Sequence, residues 1–149
     1  MKEYYKVAQE DAMGCGLACV ASVCGLSYAR AKKKLFRNVG DIRRGFYCRE
    51  LIKVLARAGK RYSFRHVKES VRKKFVIGSV VFIHPLKIYP AGHYLLKTSK
   101  GWMDPWFNLP KIKCVRLAFR KKLPGKAQWI IFEHLPLVQA ISFQRLNPD

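Results

Sequence analysis

At 149 residues, half of them apolar and 13% aromatic, the chain is large enough for one hydrophobic core and too apolar to be disordered. No apolar run approaches the roughly 20 residues that span a bilayer, and the first six residues lack the apolar core of a secretory signal, so a soluble cytoplasmic protein is expected. The net charge of +21 is concentrated between Arg30 and Lys74, where 17 Lys or Arg face only Asp41, Glu50 and Glu69, a field that attracts polyanions or acidic peptides.

Taken in chain order, Tyr4 to Val7 reads as a short opening strand, followed by a polar loop from Gln9 to Gly14. Cys15 to Cys24 is almost wholly apolar or small, as in a helix buried on every side, and Gly25 supplies its stop. Ser27 is a suitable N-cap for a second helix from Tyr28 to about Phe36. Leu51, Ile52, Leu55 and Ala58 recur at helical spacing in a third helix, from about Tyr47 to Ala58, closed by Gly59. The period then changes. Arg61 to Val67 alternates like a half-buried strand, Glu69 to Lys74 suits a short helical turn, and Ser79 to His84 is an apolar, β-branched strand. His93 to Thr98 and Trp102 to about Asp104 form a hairpin around Ser99-Lys100-Gly101. Val115 to Phe119 is expected as an edge strand, Ala127 to Glu133 as a strong one, and Val138 to Leu146 as a terminal helix. Helices first and strands afterwards indicate an α+β domain with an antiparallel sheet.

The chemistry begins at Gln9-Glu-Asp-Ala-Met-Gly-Cys15-Gly16-Leu-Ala-Cys19. A thiol at a helix N-terminus feels the positive end of the macrodipole, which lowers its pKa and raises the thiolate fraction. Gly14 and Gly16 leave room for a substrate backbone, whereas Cys19 and Cys24 fit the role of small buried hydrophobes. His93, at a strand's first residue after the turn Pro90-Ala-Gly92, is the favoured general base. His84 is its rival, while His66 and His134 lack a nearby carboxylate or look peripheral. The hairpin returns residues near 104–108 opposite His93, so Asp104 can reach its ring, although Asp104-Pro105 also suits a plain turn start. A thiolate, an imidazole and a carboxylate are the parts of a cysteine hydrolase. The Gln9 amide could join the Cys15 N–H in an oxyanion hole, a donor worth roughly 2.7–4 kcal/mol. Five cysteines without an export signal are expected to be reduced, and their spacing lacks the paired C-x-x-C of a zinc site.

Gln9, Cys15, Gly16 and Cys19, with His93-Tyr-Leu-Leu and Asp104-Pro105, resemble the two boxes of the peptidase C39 family over about residues 4 to 134. These are papain-like domains that cut bacteriocin and peptide-pheromone leaders after a double glycine. The chain differs from the family pattern at Gly14, where many relatives carry an acidic residue, and in a short gap of 11 between His93 and Asp104.

The resemblance implies a single peptidase domain over 1–149, with a core of about 4–134 and a C-terminal extension of 135–149. It implies a papain-like fold, a Cys15–His93–Asp104 triad assisted by Gln9, and no metal or cofactor. The expected substrate is a peptide with a double-glycine-like site, on an acidic amphipathic leader that the basic segment would steer. Many relatives are the front domain of a peptide-exporting transporter, so such a transporter is an expected partner. With no phosphate-binding G-x-x-x-x-G-K-[ST] loop, the chain reads as a free-standing domain or a piece of something longer. Two other classes remain open: a catalytically silent peptide-binding module, and a basic nucleic-acid-binding protein. For the latter, Phe36, Phe46, Tyr47, Tyr62 and Phe64 interleave with the charges, but no base-reading motif accompanies them.

Overall fold

A computed structural model describes residues 3–68, 75–109 and 114–134. Helices α1 (Cys15–Cys24), α2 (Tyr28–Lys34) and α3 (Cys48–Arg57) come first. Six strands follow: β1 (Tyr62–His66), β2 (Val80–Ile83), β3 (His93–Thr98), β4 (Gly101–Asp104), β5 (Ala118–Arg120) and β6 (Ala127–Glu133). They form one antiparallel sheet in the order β1-β6-β2-β3-β4-β5. The α+β class with an antiparallel sheet is therefore observed. The expected helix at Val138–Leu146 and the turn at Glu69–Lys74 lie outside the described residues.

Helix α1 is buried as its composition requires, with Leu17, Ala18, Cys19, Val20 and Ala21 fully inaccessible to solvent. Gly25 then enters the left-handed region at φ 68°, closing the helix with its N–H on the Ala21 and Ser22 carbonyls. Ser27 caps α2 by accepting from the Arg30 N–H. That helix stops short of Phe36 because the N–H groups of Leu35 and Phe36 both converge on the Ala31 carbonyl, which turns Phe36 into the core. In α3, Leu51, Val54 and Leu55 form the buried stripe.

Two of the strand expectations need correction. Residues 4–7 form no strand, because the Tyr5 carbonyl accepts a hydrogen bond from the Ser22 hydroxyl of α1 instead of a ladder partner. The edge strand is β5, at Ala118–Arg120 rather than 115–119. The Arg116 carbonyl and N–H are already taken by the Phe107 N–H at 2.8 Å and the Asn108 side chain at 2.7 Å. Pairing with β4 thus begins only at Ala118.

Both sheet faces are covered. Val80, Tyr94, Leu96, Met103 and Ile131 share a core with α1 and α3, while Val81, Ile83, Leu95, Trp102 and Ile130 belong to a second core. Phe75, Leu86, Leu109 and Leu123 pack on that second core. Helix α1 packs against β3, which carries its N-terminal residue towards the sheet rim where β3 starts and β4 ends.

The glycines around Cys15 are small for an internal reason. A Cβ on Gly14 would lie 1.9 Å from the Tyr28 hydroxyl, and one on Gly16 would lie 3.1 Å from Leu51 and Tyr94. Their surroundings are protein, not a substrate path, which corrects the sequence-based rationale. Tyr28 in turn donates to Asp11 at 2.6 Å, so Gly14 keeps the loop before Cys15 tied to α2. Gly14→Ala is expected to displace that hydroxyl and cost about 1–3 kcal/mol of stability, by analogy with overpacked sites. Thermal denaturation checks it; an unchanged midpoint would show that the loop yields without cost.

Candidate active site

The turn before β3 sets the histidine. The N–H groups of Leu86 and Gly92 both bond the Tyr89 carbonyl, at 2.9 and 3.0 Å. Gly92 has φ 80°, and a Cβ there would meet the Phe82 ring at 2.2 Å, so only glycine fits this approach. His93 follows as the first residue of β3, 3% exposed. In the β3–β4 register Leu96 faces Met103. Continuing that register makes Asp104 a diagonal neighbour of His93 on the same face.

Asp104 is fully buried and saturated with donors. Its Oδ1 accepts from His93 Nε2 at 2.7 Å and from the Trp106 N–H at 3.0 Å. Its Oδ2 accepts from the Tyr89 hydroxyl at 2.7 Å and from Arg120 Nε at 2.8 Å. The turn-starting role and the contact with histidine are thus one arrangement, since the Trp106 N–H closes an Asx turn on the oxygen that holds the ring.

With Nε2 turned to Asp104, the other imidazole nitrogen is left for Cys15, and the two groups lie close enough to shift each other's titration. Cys15 is partly exposed at the head of α1, where Gly14 provides no side-chain cap. Its Sγ also accepts from the Tyr94 N–H at 3.5 Å. Burial alone would raise the thiol pKa. The imidazolium charge and hydrogen bond of His93, with the Tyr94 and Gly16 N–H groups, bring it below the ordinary range. Burial alone would likewise lower the His93 pKa, but the Cys15 thiolate and the Asp104 carboxylate raise it to about 9. Asp104 is held well below the usual carboxylate range: His93, Arg120 and Tyr89 overcome its desolvation. The opposed shifts of thiol and ring favour the thiolate–imidazolium pair over two neutral groups.

The other sequence candidates make contacts of their own. Gln9 is 2% exposed, and its Nε2 donates to the carbonyls of Asp11 and Ala12 at 3.0 and 3.1 Å, bracing the loop before Cys15. Its Oε1 is buried without a partner among the described residues. The His84 N–H bonds the Lys126 carbonyl, His66 packs edge-on against Trp129, and His134 contacts the Ser63 hydroxyl. Cys19 is fully buried, and desolvation pushes its thiol well above the ordinary range. All five thiols are free, and among the described residues no group of three His, Cys, Asp or Glu is placed to hold a metal ion.

Two residues at the centre escaped sequence analysis. Tyr89 stacks parallel on His93 with ring centroids 4.0 Å apart, and Arg120 pairs with Asp104 from β5. Tyr89, four residues before His93, had a weak local signal. Arg120 had none, because its pairing depends on the β4–β5 register.

Cys15 opens onto a groove of about 540 Å³, lined also by Met13, Phe46, Phe82, Gly92, Tyr94 and Trp129, with Arg44 and Arg49 among its charged residues. Arg44 is already paired with Glu50 at 2.9 Å and lies over the Tyr47 ring. Among the described residues no helix is long and apolar enough to cross a membrane. Compared with known proteins, the sequence matches no family model and no curated protein.

Cys15→Ser removes the thiolate but leaves His93 buried. The imidazole should then titrate clearly below about 9, which NMR of the ring can follow. An unmoved midpoint would mean that Cys15 carries no charge beside it.

Proposed function

We propose that the chain is a cysteine endopeptidase with a papain-like architecture, of the peptidase C39 type that its sequence boxes resemble. The observation carrying this reading is the contact chain Cys15–His93–Asp104, in which a partly exposed thiol meets a buried ring locked on its far side by a carboxylate.

The mechanism follows from the polarity of that chain. The Cys15 thiolate attacks the scissile carbonyl, and the developing oxyanion is held by the Cys15 N–H at the uncapped start of α1. The His93 imidazolium gives its proton to the leaving amine, leaving a thioester and a neutral ring. That ring takes a proton from water as the hydroxide attacks the thioester, and the collapsing intermediate releases Cys15 with the imidazolium restored. Asp104 accepts from Nε2 throughout, so the proton-transferring nitrogen keeps facing the sulfur. In this reading Gln9 supports the oxyanion by sharing an Nε2 hydrogen that the free protein spends on the loop carbonyls.

The groove supports a peptide substrate. Its Phe82 and Tyr94 rings, 4.7 Å apart, stand near the sulfur with Gly92, and they suit small residues at the cut, as in a double-glycine site. The basic segment would speed arrival of an acidic leader, in a salt-dependent manner.

Cleavage of a double-glycine leader peptide, followed by mass spectrometry, tests the proposal. Cys15→Ala should abolish it, and turnover surviving that change refutes the assignment. The rate should fall as pH rises through about 9, because His93 then lacks the proton that the leaving amine needs. Gln9→Ala separates two roles: an oxyanion donor lowers kcat roughly 10²–10³-fold. A loop brace lowers the melting temperature and leaves kcat per folded molecule unchanged.

A further inference from the structure

We propose that Arg120 and Tyr89 are positioning residues for the catalytic centre, clamping the Asp104 carboxylate so that Oδ1 stays aimed at His93 while its charge is met by Arg120. The proposal rests on the peptidase reading above and extends it to two residues outside the triad.

Only Oδ1 touches the histidine, so whatever holds Oδ2 decides where Oδ1 points. Two donors hold it, from opposite sides in sequence: the Tyr89 hydroxyl before β3, and Arg120 Nε on β5. Arg120 also donates to the Tyr89 oxygen at 3.3 Å, closing a ring of contacts around that carboxylate oxygen. Asp104 faces Ala118 across the β4–β5 ladder, which makes Arg120 its diagonal neighbour on the same face. The Phe107 ring lies under the guanidinium at 4.5 Å, so the fork is fixed from behind as well. Tyr89 acts twice, because its ring is stacked flat on the imidazole while its hydroxyl holds the acid.

Charge balance gives the clamp its electrostatic meaning. Among the described residues, the titratable and charged groups around the Asp104–His93 pair are Cys15 and Cys19 from α1, Tyr89 from the preceding turn, and Arg120 from β5. Cys19 and Tyr89 have raised pKa values and stay neutral. The thiolate, imidazolium, carboxylate and guanidinium then sum to zero, so the imidazolium need not serve as sole counter-ion to a buried carboxylate. Removing the guanidinium leaves an excess negative charge, which raises the pKa of every neighbouring acid, the Cys15 thiol included.

The test reads the thiol itself first, before any peptide is added. Alkylation of Cys15 by iodoacetamide is followed against pH by mass spectrometry in the parent, Arg120→Met, Arg120→Lys and Tyr89→Phe proteins. Arg120→Met should move the acid limb of reactivity up by about one pH unit. Arg120→Lys should recover most of that displacement, since it restores charge without the fork. Tyr89→Phe keeps the stack and the charge balance; it should leave the limb nearly in place and lower kcat for peptide cleavage about tenfold at unchanged KM, the signature of a positioning effect. If Arg120→Met does not fold, the lysine and phenylalanine variants still decide. Limbs that coincide with the parent's, with activity falling only in proportion to the folded fraction, overturn the clamp. A parent Cys15 that alkylates no faster than exposed Cys114 overturns the peptidase reading beneath it, a different result from a normal parent with silent variants.

Discussion

The Asp104 carboxylate is the constraint on which the candidate site depends. A charge with no solvent access is costly unless donors replace its water, and here four donors do so, two on each oxygen. Each donor comes from a different part of the chain: the turn before β3, the head of β3, the backbone after β4, and β5. The acid therefore ties together the rim of the sheet as well as orienting the histidine. Its turn geometry and its proposed catalytic role are the same set of bonds.

Around that anchor the helical layer does a different job. Helix α1 is enclosed along its length, so that it meets solvent at its two end residues, Cys15 and Cys24. The helix start lacks a side-chain cap, so its field is directed at the sulfur rather than spent on a capping oxygen. Tight packing of Gly14 on Tyr28 and of Gly16 on Leu51 and Tyr94 fixes the height of the thiol against β3. The proposed nucleophile and base thus belong to separate layers, and the interface between α1 and β3 determines whether they meet. Within the basic segment, Lys32, Arg43 and Arg44 are paired with Asp11, Asp41 and Glu50.

Much of this was legible in the residues before any coordinates. The unbroken apolar run from Cys15 to Cys24 and the stripe through Leu51 and Leu55 marked helices, and the β-branched run before Pro85 marked a strand, because these patterns follow directly from which side chains must leave water. The hairpin at Thr98–Gly101 was legible for the same reason, and it carried the pairing of His93 with Asp104. Less legible were the opening residues and the β5 boundary. There a single side chain, the Ser22 hydroxyl or the Asn108 amide, outcompetes a ladder partner, and local propensity contains no record of it. The glycines beside Cys15 suggest space for substrate, yet their neighbours are Tyr28 and Leu51, residues that only folding brings there.

By itself the sequence determined most of the helical and strand segments and the hairpin that brings His93 near Asp104, because each depends on contacts near in sequence or on period. Only tertiary structure decided that β6 inserts between β1 and β2, that Arg120 closes on Asp104, and that Gln9 spends its amide hydrogens on its own loop. The physical reason is the same in each case. Sheet order, a long-range ion pair and the destination of a buried amide are settled by competition among distant partners for the same donors and acceptors, and that competition exists only once the chain has closed on itself.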